Sequence, residues 1–225
     1  MLYSRELGCN PCDFNSGGLV VVSNEKIGEI MFAKGFPLAL FSIAKAGGVV
    51  VSALPRLKNA VDRVIDGKTA LDDDVCDAIE HALTPIVDVR YWFRGCRLYC
   101  APETFRDQAT GNVQDVTYQD SISEALHAKW DGPVFGQIID GKAVSRAAIK
   151  PLSDIAWDLS IQTLPEYRGW GYAKSVVSVA VKYIFENGKL AAWGTDRTNA
   201  ASLNTAYSFG FQDYGLDFGC VEQTG

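Results

Sequence analysis

The sequence predicts an α/β (α+β) chain, and three features predict it. Residues 155–161 (Ile-Ala-Trp-Asp-Leu-Ser-Ile) alternate apolar with small or polar side chains, the period of a strand. Ala173, Val176, Val177, Ala180, Val181 and Ile184 then fall at i, i+3, i+4, i+7, i+8 and i+11, one apolar face of a helix. Between these two lies Pro165-Glu166-Tyr167-Arg168-Gly169-Trp170-Gly171-Tyr172-Ala173. A glycine-punctuated turn that opens a helix exposes N–H groups without intrahelical acceptors. With the positive end of the helix dipole, they make a site for a phosphate or pyrophosphate.

From the N-terminus, residues 19–22 (Leu-Val-Val-Val) read as a strand, and 36–43 as an apolar run open to strand or helix. Gly47-Gly48 breaks the chain before a strand at 49–52. Helices are predicted at 55–65, with Pro55 near the first turn, and at 71–83. Asp72, Asp73 and Asp74 fall in the first turn of the second, where acids complement the dipole; they read as capping rather than metal ligands. Residues 91–93 and 97–99 look like two short strands around Gly95. Polar residues 103–120 have no clear period and make the best linker candidate, dividing the chain into regions 1–105 and 106–225. A short helix at 121–129 carries a capping box from Ser121 to Glu124. Asp140-Gly141, between apolar runs 133–139 and 143–149, is a strong hairpin signal. Asn187-Gly188 supplies a left-handed helix stop, followed by a strand at 190–195.

The bulk composition excludes several classes. At 225 residues and 48% hydrophobic, the chain can build one large domain or two small ones around a packed core. A net charge of −6 argues against a nucleic-acid binder or an anionic-membrane binder, either of which needs a basic face. It fits a protein whose substrate is a cation. The apolar runs are too short to span a bilayer. The start Met-Leu-Tyr-Ser-Arg-Glu lacks the basic and apolar stretches of a signal peptide, so a cytoplasmic protein is expected. The six cysteines include Cys9-x-x-Cys12 and Cys96-x-x-x-Cys100. Zinc and redox readings remain open for these, but the gaps are irregular and there are only two histidines. Free thiols and no metal are the expectation. His81 and His127 read as surface or structural.

The glycine turn is neither a dinucleotide fingerprint, since Lys174 stands where the third glycine belongs, nor a Walker loop, since no Gly-Lys-Ser/Thr occurs. Arg168-x-x-Gly171-x-Ala173 instead resembles the [RQ]-x-x-G-x-[GA] signature of the GNAT acyltransferases, with Pro165 to Gly169 as the usual lead-in. Asn199-Ala200-Ala201-Ser202, leading to Gly210-Phe211, resembles that family's N-x-x-S…G-F segment. The resemblance covers about residues 135–221. Asp154-Ile155, Trp193 and Ala206 look most like the two-domain group that includes zwittermicin A resistance acetyltransferases.

The resemblance implies a GNAT fold, a mixed and mostly antiparallel sheet flanked by helices, here with an additional N-terminal α/β region. It implies acetyl-CoA, or another acyl-CoA, as acyl donor to the amine of a small molecule; a monomer or homodimer is expected. The backbone of Ile161, Gln162 and Thr163 would pair with the pantetheine arm. N–H groups from Gly169 through Trp170, Gly171 and Tyr172 to Ala173 would hold the pyrophosphate, with Arg168 opening the loop. Asn199 and Ser202 would border the cofactor arm, although Asn199 also fits a plain helix N-cap. Acetyl transfer needs a neutral amine, hence a base. Asp158 is the candidate, on one strand face with Ser160 and Gln162; a structural carboxylate is the competing reading. The family's general-acid tyrosine position holds Ala206. Tyr207 is the neighbouring candidate, turned about 100° away on a helix and equally consistent with core packing. A CoA-binding regulatory or sensor module without catalysis is the alternative.

Overall fold

The computed structural model describes residues 2–29 and 37–223, and contains ten strands and five α-helices among them. By compactness the chain divides into two units. Unit 1 comprises residues 1–96, 196–198 and 214–225; unit 2 comprises 97–195 and 199–213. The first break is at 96/97, and the end of the chain returns to unit 1.

Unit 1 is built from β1 (Leu19–Ser23), β2 (Leu38–Lys45), β3 (Gly48–Ala53), α1 (Pro55–Ile65) and α2 (Asp73–Leu83). It also holds the first part of β4 (Val89–Cys100) and most of β10 (Gln212–Glu222). Its strand order is β1-β3-β2-β10-β4, with β1 parallel to β3 and β2 antiparallel to both β3 and β10. The apolar run that is ambiguous in sequence is therefore a strand; residue 36 and the other residues of 30–36 lie outside the described ones. Alternation in β3 sends Val49 and Val51 towards Leu57, Val61, Ile79 and Leu83 of the two helices, and Val50 towards Phe14, Ile27 and Phe41. α2 begins at Asp73, and Asp72 is its N-cap, accepting a bond from Val75 N–H at 2.9 Å. The two short strands expected around Gly95 are one twelve-residue strand, β4. Glycine lowers strand propensity, but ladder pairing on β10 in this unit carries the strand through.

Unit 2 contains the end of β4, β5 (Val113–Asp115), α3 (Ser121–Trp130), β6 (Val134–Ile139), β7 (Lys142–Pro151), β8 (Ala156–Thr163), α4 (Tyr172–Glu186), β9 (Leu190–Asp196) and α5 (Ala200–Ser208). Its order is β4-β9-β8-β7-β6-β5, antiparallel from β5 to β8 and parallel between β8 and β9. The β6–β7 hairpin turns on Asp140 (φ 49°) and Gly141 (φ 76°). Two positive φ values match a type I′ turn, whose twist suits paired strands. α4 packs on β6, β7 and β8, with Tyr183 against Phe135 and Trp157. α3 covers the opposite face, where Asp120 and Trp130 meet Arg146 and Lys150. Its N-cap is Asp120 rather than Ser121; the Asp120 carboxylate accepts from Ile122 and Ser123 N–H.

Residues 103–120, expected as a linker, are bonded into unit 2. Arg106 N–H donates to the Phe209 carbonyl. Gln108 N–H donates to Ser178 Oγ and Thr110 N–H to Ser175 Oγ, both on α4. Ser175 and Ser178 are fully buried on a helix face, so their hydroxyls supply the acceptors that let polar backbone pack there.

Candidate functional site

Locally, the turn between β8 and α4 folds as its glycines require. Gly169 and Gly171 have φ of 83° and 81°, a region that costs an L side chain about 1–2 kcal/mol. A Cβ built at either would meet nothing within 4 Å, so this side of the loop is open. Gly171 is the N-cap of α4 and offers no side-chain cap. The first turn of α4 carries no acidic residue. By contrast, α2 has an aspartate cap and two first-turn aspartates, and α3 an aspartate cap and a first-turn glutamate. α4 is the longest helix at 15 residues. Lys174 N–H is taken by the Gly171 carbonyl at 2.9 Å. Helix geometry leaves Tyr172 and Ala173 N–H without intrahelical acceptors, so the positive end of α4 is left to an outside anion.

The flanks of the loop are basic and aromatic. Arg168 Nε donates to the Thr163 carbonyl at 3.3 Å, folding the arginine back on the end of β8. Tyr167 and Tyr172 face each other at 6.3 Å. Trp170 is 73% exposed.

β8 and β9 part company early. Their parallel register joins Ala156 to Leu190 and Trp157 to Ala191. Yet β8 runs on to Thr163 and β9 to Asp196. Ile161, Gln162 and Thr163 remain paired to β7 on their other side. Bonded and non-bonded pairs alternate along an antiparallel ladder, and Leu164 N–H bonds the Val144 carbonyl. The backbone groups of Ile161 and Thr163 therefore face away from β7 towards the opening between β8 and β9, a place for an extended ligand to hydrogen-bond, while those of Gln162 are turned to β7.

Trp193 and Ser202 line the β9 side. Trp193 is buried, packs edge-on against Phe211, and donates Nε1–H to Ser202 Oγ at 3.0 Å. Asn199 is the N-cap of α5, its side chain accepting from Ser202 N–H at 3.1 Å. Asn199 and Ser202 are thus brought together, in a capping arrangement next to Trp193. Tyr207 is exposed and does not pack in the core as one sequence reading had it; its hydroxyl donates to Asp213 at 2.8 Å. Ala206 instead takes the buried position, because one residue along a helix rotates the side chain by about 100°.

Asp158, the first β8 residue past the paired stretch, is 3% exposed. Its Oδ1 accepts from Leu159 N–H. Its Oδ2 lies 3.8 Å from Arg97 Nη1 and 3.8 Å from Lys150 Nζ. Lys150 is directly opposite Asp158 in the β7–β8 register. Arg97 reaches from β4 across Gly194 of β9, where a Cβ would fall 2.5 Å from Nη1. The sequence reading missed Arg97 and Lys150. The available signal was the pair Arg146 and Lys150, two cations at even spacing in an otherwise apolar strand. Among the described residues, no three His, Cys, Asp or Glu side chains gather as a metal site. No helix among them is long and apolar enough to cross a membrane.

Against known proteins, the model of the acetyltransferase (GNAT) family matches residues 90–211. A GNAT-family acetyltransferase from Colwellia psychrerythraea superposes with a TM-score of 0.52 at 13% identity, over 94% of this chain and 94% of that one. A GNAT-family protein from Novosphingobium aromaticivorans gives 0.53 at 18% identity, over 62% of this chain and 69% of that one. At these identities the structures speak to the fold alone. No curated protein matches the sequence.

Proposed function

Since this chain belongs to the acetyltransferase (GNAT) family, we propose that it transfers the acetyl group of acetyl-CoA to the amine of a small molecule. One observation carries the reading: β8 and β9 separate after Trp157 and Ala191, directly ahead of an uncapped, acid-free helix N-terminus. An extended acyl-pantetheine arm fits the opening, and a pyrophosphate fits the turn.

In this reading, the N–H groups from Gly169 to Ala173 hold the pyrophosphate and Arg168 adds positive charge. The backbone of Ile161 and Thr163 pairs with the arm. Asn199 and Ser202 border it from α5. Asp158 stands at the closed end of the opening, where the thioester would lie. Tyr207, with its hydroxyl given to Asp213, is the weaker candidate for protonating the leaving thiolate. The sequence likeness to the group that includes zwittermicin A resistance acetyltransferases supports an antibiotic-like or amino-acid-like acceptor.

Calorimetric titration with acetyl-CoA, with ATP and NAD as controls, tests the donor. Saturable binding of acetyl-CoA alone is expected; binding of ATP or NAD instead would overturn the reading. Release of free CoA with a panel of small amines tests turnover. Tight binding with no release on any amine would favour the CoA-sensing alternative, for which the buried alanine at 206 is the motivating observation.

A further inference from the structure

We infer that the indole of Trp170 is the platform on which the adenine of the acyl donor stacks. The donor this chain accepts is then a free acyl-CoA, not an acyl group on the phosphopantetheine of a carrier protein. The inference rests on the acetyl-CoA reading and adds a nucleotide subsite to that same site.

The chain holds five tryptophans. Trp193 is buried and bonds Ser202. Trp92, Trp130 and Trp157 are half-buried. Trp92 stacks on Phe218, Trp130 carries the Lys150 ammonium over its ring, and Trp157 packs on Tyr183. Trp170 differs from all of them. It is 73% exposed, and among the described residues it has no ring, cation or hydrogen-bond partner.

Its place in the chain says what could cover it. Trp170 lies within the glycine turn, one residue before the N-cap of α4. Gly169 and Gly171 flank it, and apart from chain neighbours a Cβ built at either would meet nothing within 4 Å. The indole thus stands between two positions without side chains, with space for a planar ring beside it. Tyr167 and Tyr172 pack on each other at 6.3 Å instead and leave the indole uncovered.

The charges of the turn suit a phosphorylated nucleotide. Lys174 is the third residue of α4 and is exposed. A cation in the first turn opposes the helix dipole, and a bound anion offsets that cost. A pyrophosphate on the N–H groups of the turn sets Lys174 and Arg168 beside negative charge. From there the ribose carries the adenine onward, past the uncovered indole. Every base has a π-face to lay on such a ring, and stacking takes the apolar surface of both out of water. A carrier protein's phosphopantetheine ends at one phosphate and has no base. The β8–β9 opening accepts the arm of either donor; only the nucleotide gives Trp170 an occupant.

The test separates base from arm. Calorimetric titration of the wild type and Trp170→Ala compares acetyl-CoA, acetyl-dephospho-CoA, which keeps the adenosine, and acetyl-phosphopantetheine, which lacks it. In Trp170→Ala, acetyl-CoA and acetyl-dephospho-CoA should each bind roughly 5- to 100-fold more weakly, and acetyl-phosphopantetheine as it does to the wild type. Trp170→Phe should recover much of the loss. The melting temperature should stay unchanged in both variants, since the side chain is exposed. Acrylamide quenching of tryptophan fluorescence gives a readout apart from affinity. Acetyl-CoA should shield the accessible tryptophan of the wild type, and acetyl-phosphopantetheine should not.

Three results would overturn the inference while leaving the donor reading in place. One is equal affinity of the wild type for acetyl-CoA and acetyl-phosphopantetheine. Another is a Trp170→Ala variant that binds acetyl-CoA unchanged, or weakens both donors alike. The third is shielding by acetyl-phosphopantetheine, which would mean that the arm or the turn itself covers the indole. Failure of the wild type to bind any of the three donors is a separate result that sinks the acetyl-CoA reading, and the adenine subsite with it.

Discussion

Gly171 offers a perturbation whose effects on stability and on binding run in opposite directions. Its φ of 81° lies in the left-handed region, and a Cβ there meets nothing within 4 Å. Gly171→Ala therefore costs conformational strain without a clash, about 1–2 kcal/mol. For a chain of this size, 1 kcal/mol moves the melting temperature by roughly 2–4 °C, so a fall of roughly 2–8 °C is expected. Gly171→Glu carries the same strain. It also places a carboxylate at the N-terminus of α4, which has no acid of its own and would gain about 0.3–1 kcal/mol from one. The glutamate variant should thus melt slightly above the alanine variant. Binding reverses that order. A carboxylate about 5 Å from one phosphate charge, at an effective dielectric of about 20, is repelled by about 3 kcal/mol, roughly a 100-fold weaker Kd. Differential scanning calorimetry and titration with acetyl-CoA on both variants read the two effects. Equal affinity in the two variants would refute the placement of the pyrophosphate at this turn, whatever the melting temperatures show.

Other consequences follow from local geometry. Gly210→Ala combines φ of 87° with a Cβ only 1.8 Å from the Thr104 carbonyl oxygen. Backbone must move, so it should destabilise by more than about 3 kcal/mol, visible as a large drop in urea midpoint; a near-native midpoint would mean that the 103–110 segment is not anchored there. Asp120→Ala removes the cap of α3 and leaves the buried Arg146 guanidinium without its carboxylate 2.8 Å away. A loss of about 3–5 kcal/mol is expected in chemical denaturation, and Asp120→Asn should recover only the capping part. Burial acts to raise the Asp120 pKa, but the bonds from Arg146 and Ser123 outweigh it and hold the carboxyl below its ordinary value. Its contribution is therefore fully present above the unfolded pKa, about 3.9, and is lost as pH falls through the lower folded value. The acid limb of the stability curve should be shallower in Asp120→Asn, and an unaltered limb would refute the linkage. Asn199→Ala should cost about 1 kcal/mol as a lost cap and Asn199→Asp almost nothing. If Asn199 also touches the cofactor arm, acetyl-CoA affinity falls in both; if it only caps, Asn199→Asp binds like the wild type.

Sequence alone was sufficient wherever the determinant is a few residues long. Asp140-Gly141 sets its hairpin through two adjacent positive φ values. The Gly169–Gly171 turn and the apolar face of α4 place a helix N-terminus after a strand, and the spacing to Asn199 and Gly210 identifies the family now matched over residues 90–211. Local competition moved some boundaries by a residue. Asp120 outcompetes Ser121 for the cap of α3 because its carboxylate reaches both Ile122 and Ser123 N–H and the guanidinium of Arg146 as well.

Tertiary structure decided what depends on residues distant in sequence. Gly95 leaves β4 unbroken because strand pairing outweighs a glycine's propensity. Residues 103–110 read as loose polar chain, yet hydroxyls of α4 some 70 positions later hold them in place. The end of β8–β9 pairing at Trp157 and Ala191 has no one-dimensional signature, since both strands keep a strand-like pattern beyond it. The row of Arg97, Asp158 and Lys150 is of the same kind: each residue alone is an ordinary charge in a strand. Register sets Lys150 opposite Asp158, and the missing side chain of Gly194 gives Arg97 its path to them. Motif spacing reports chain-local geometry, whereas protonation in a buried row depends on the sum of charges that the sheet brings within a few ångströms.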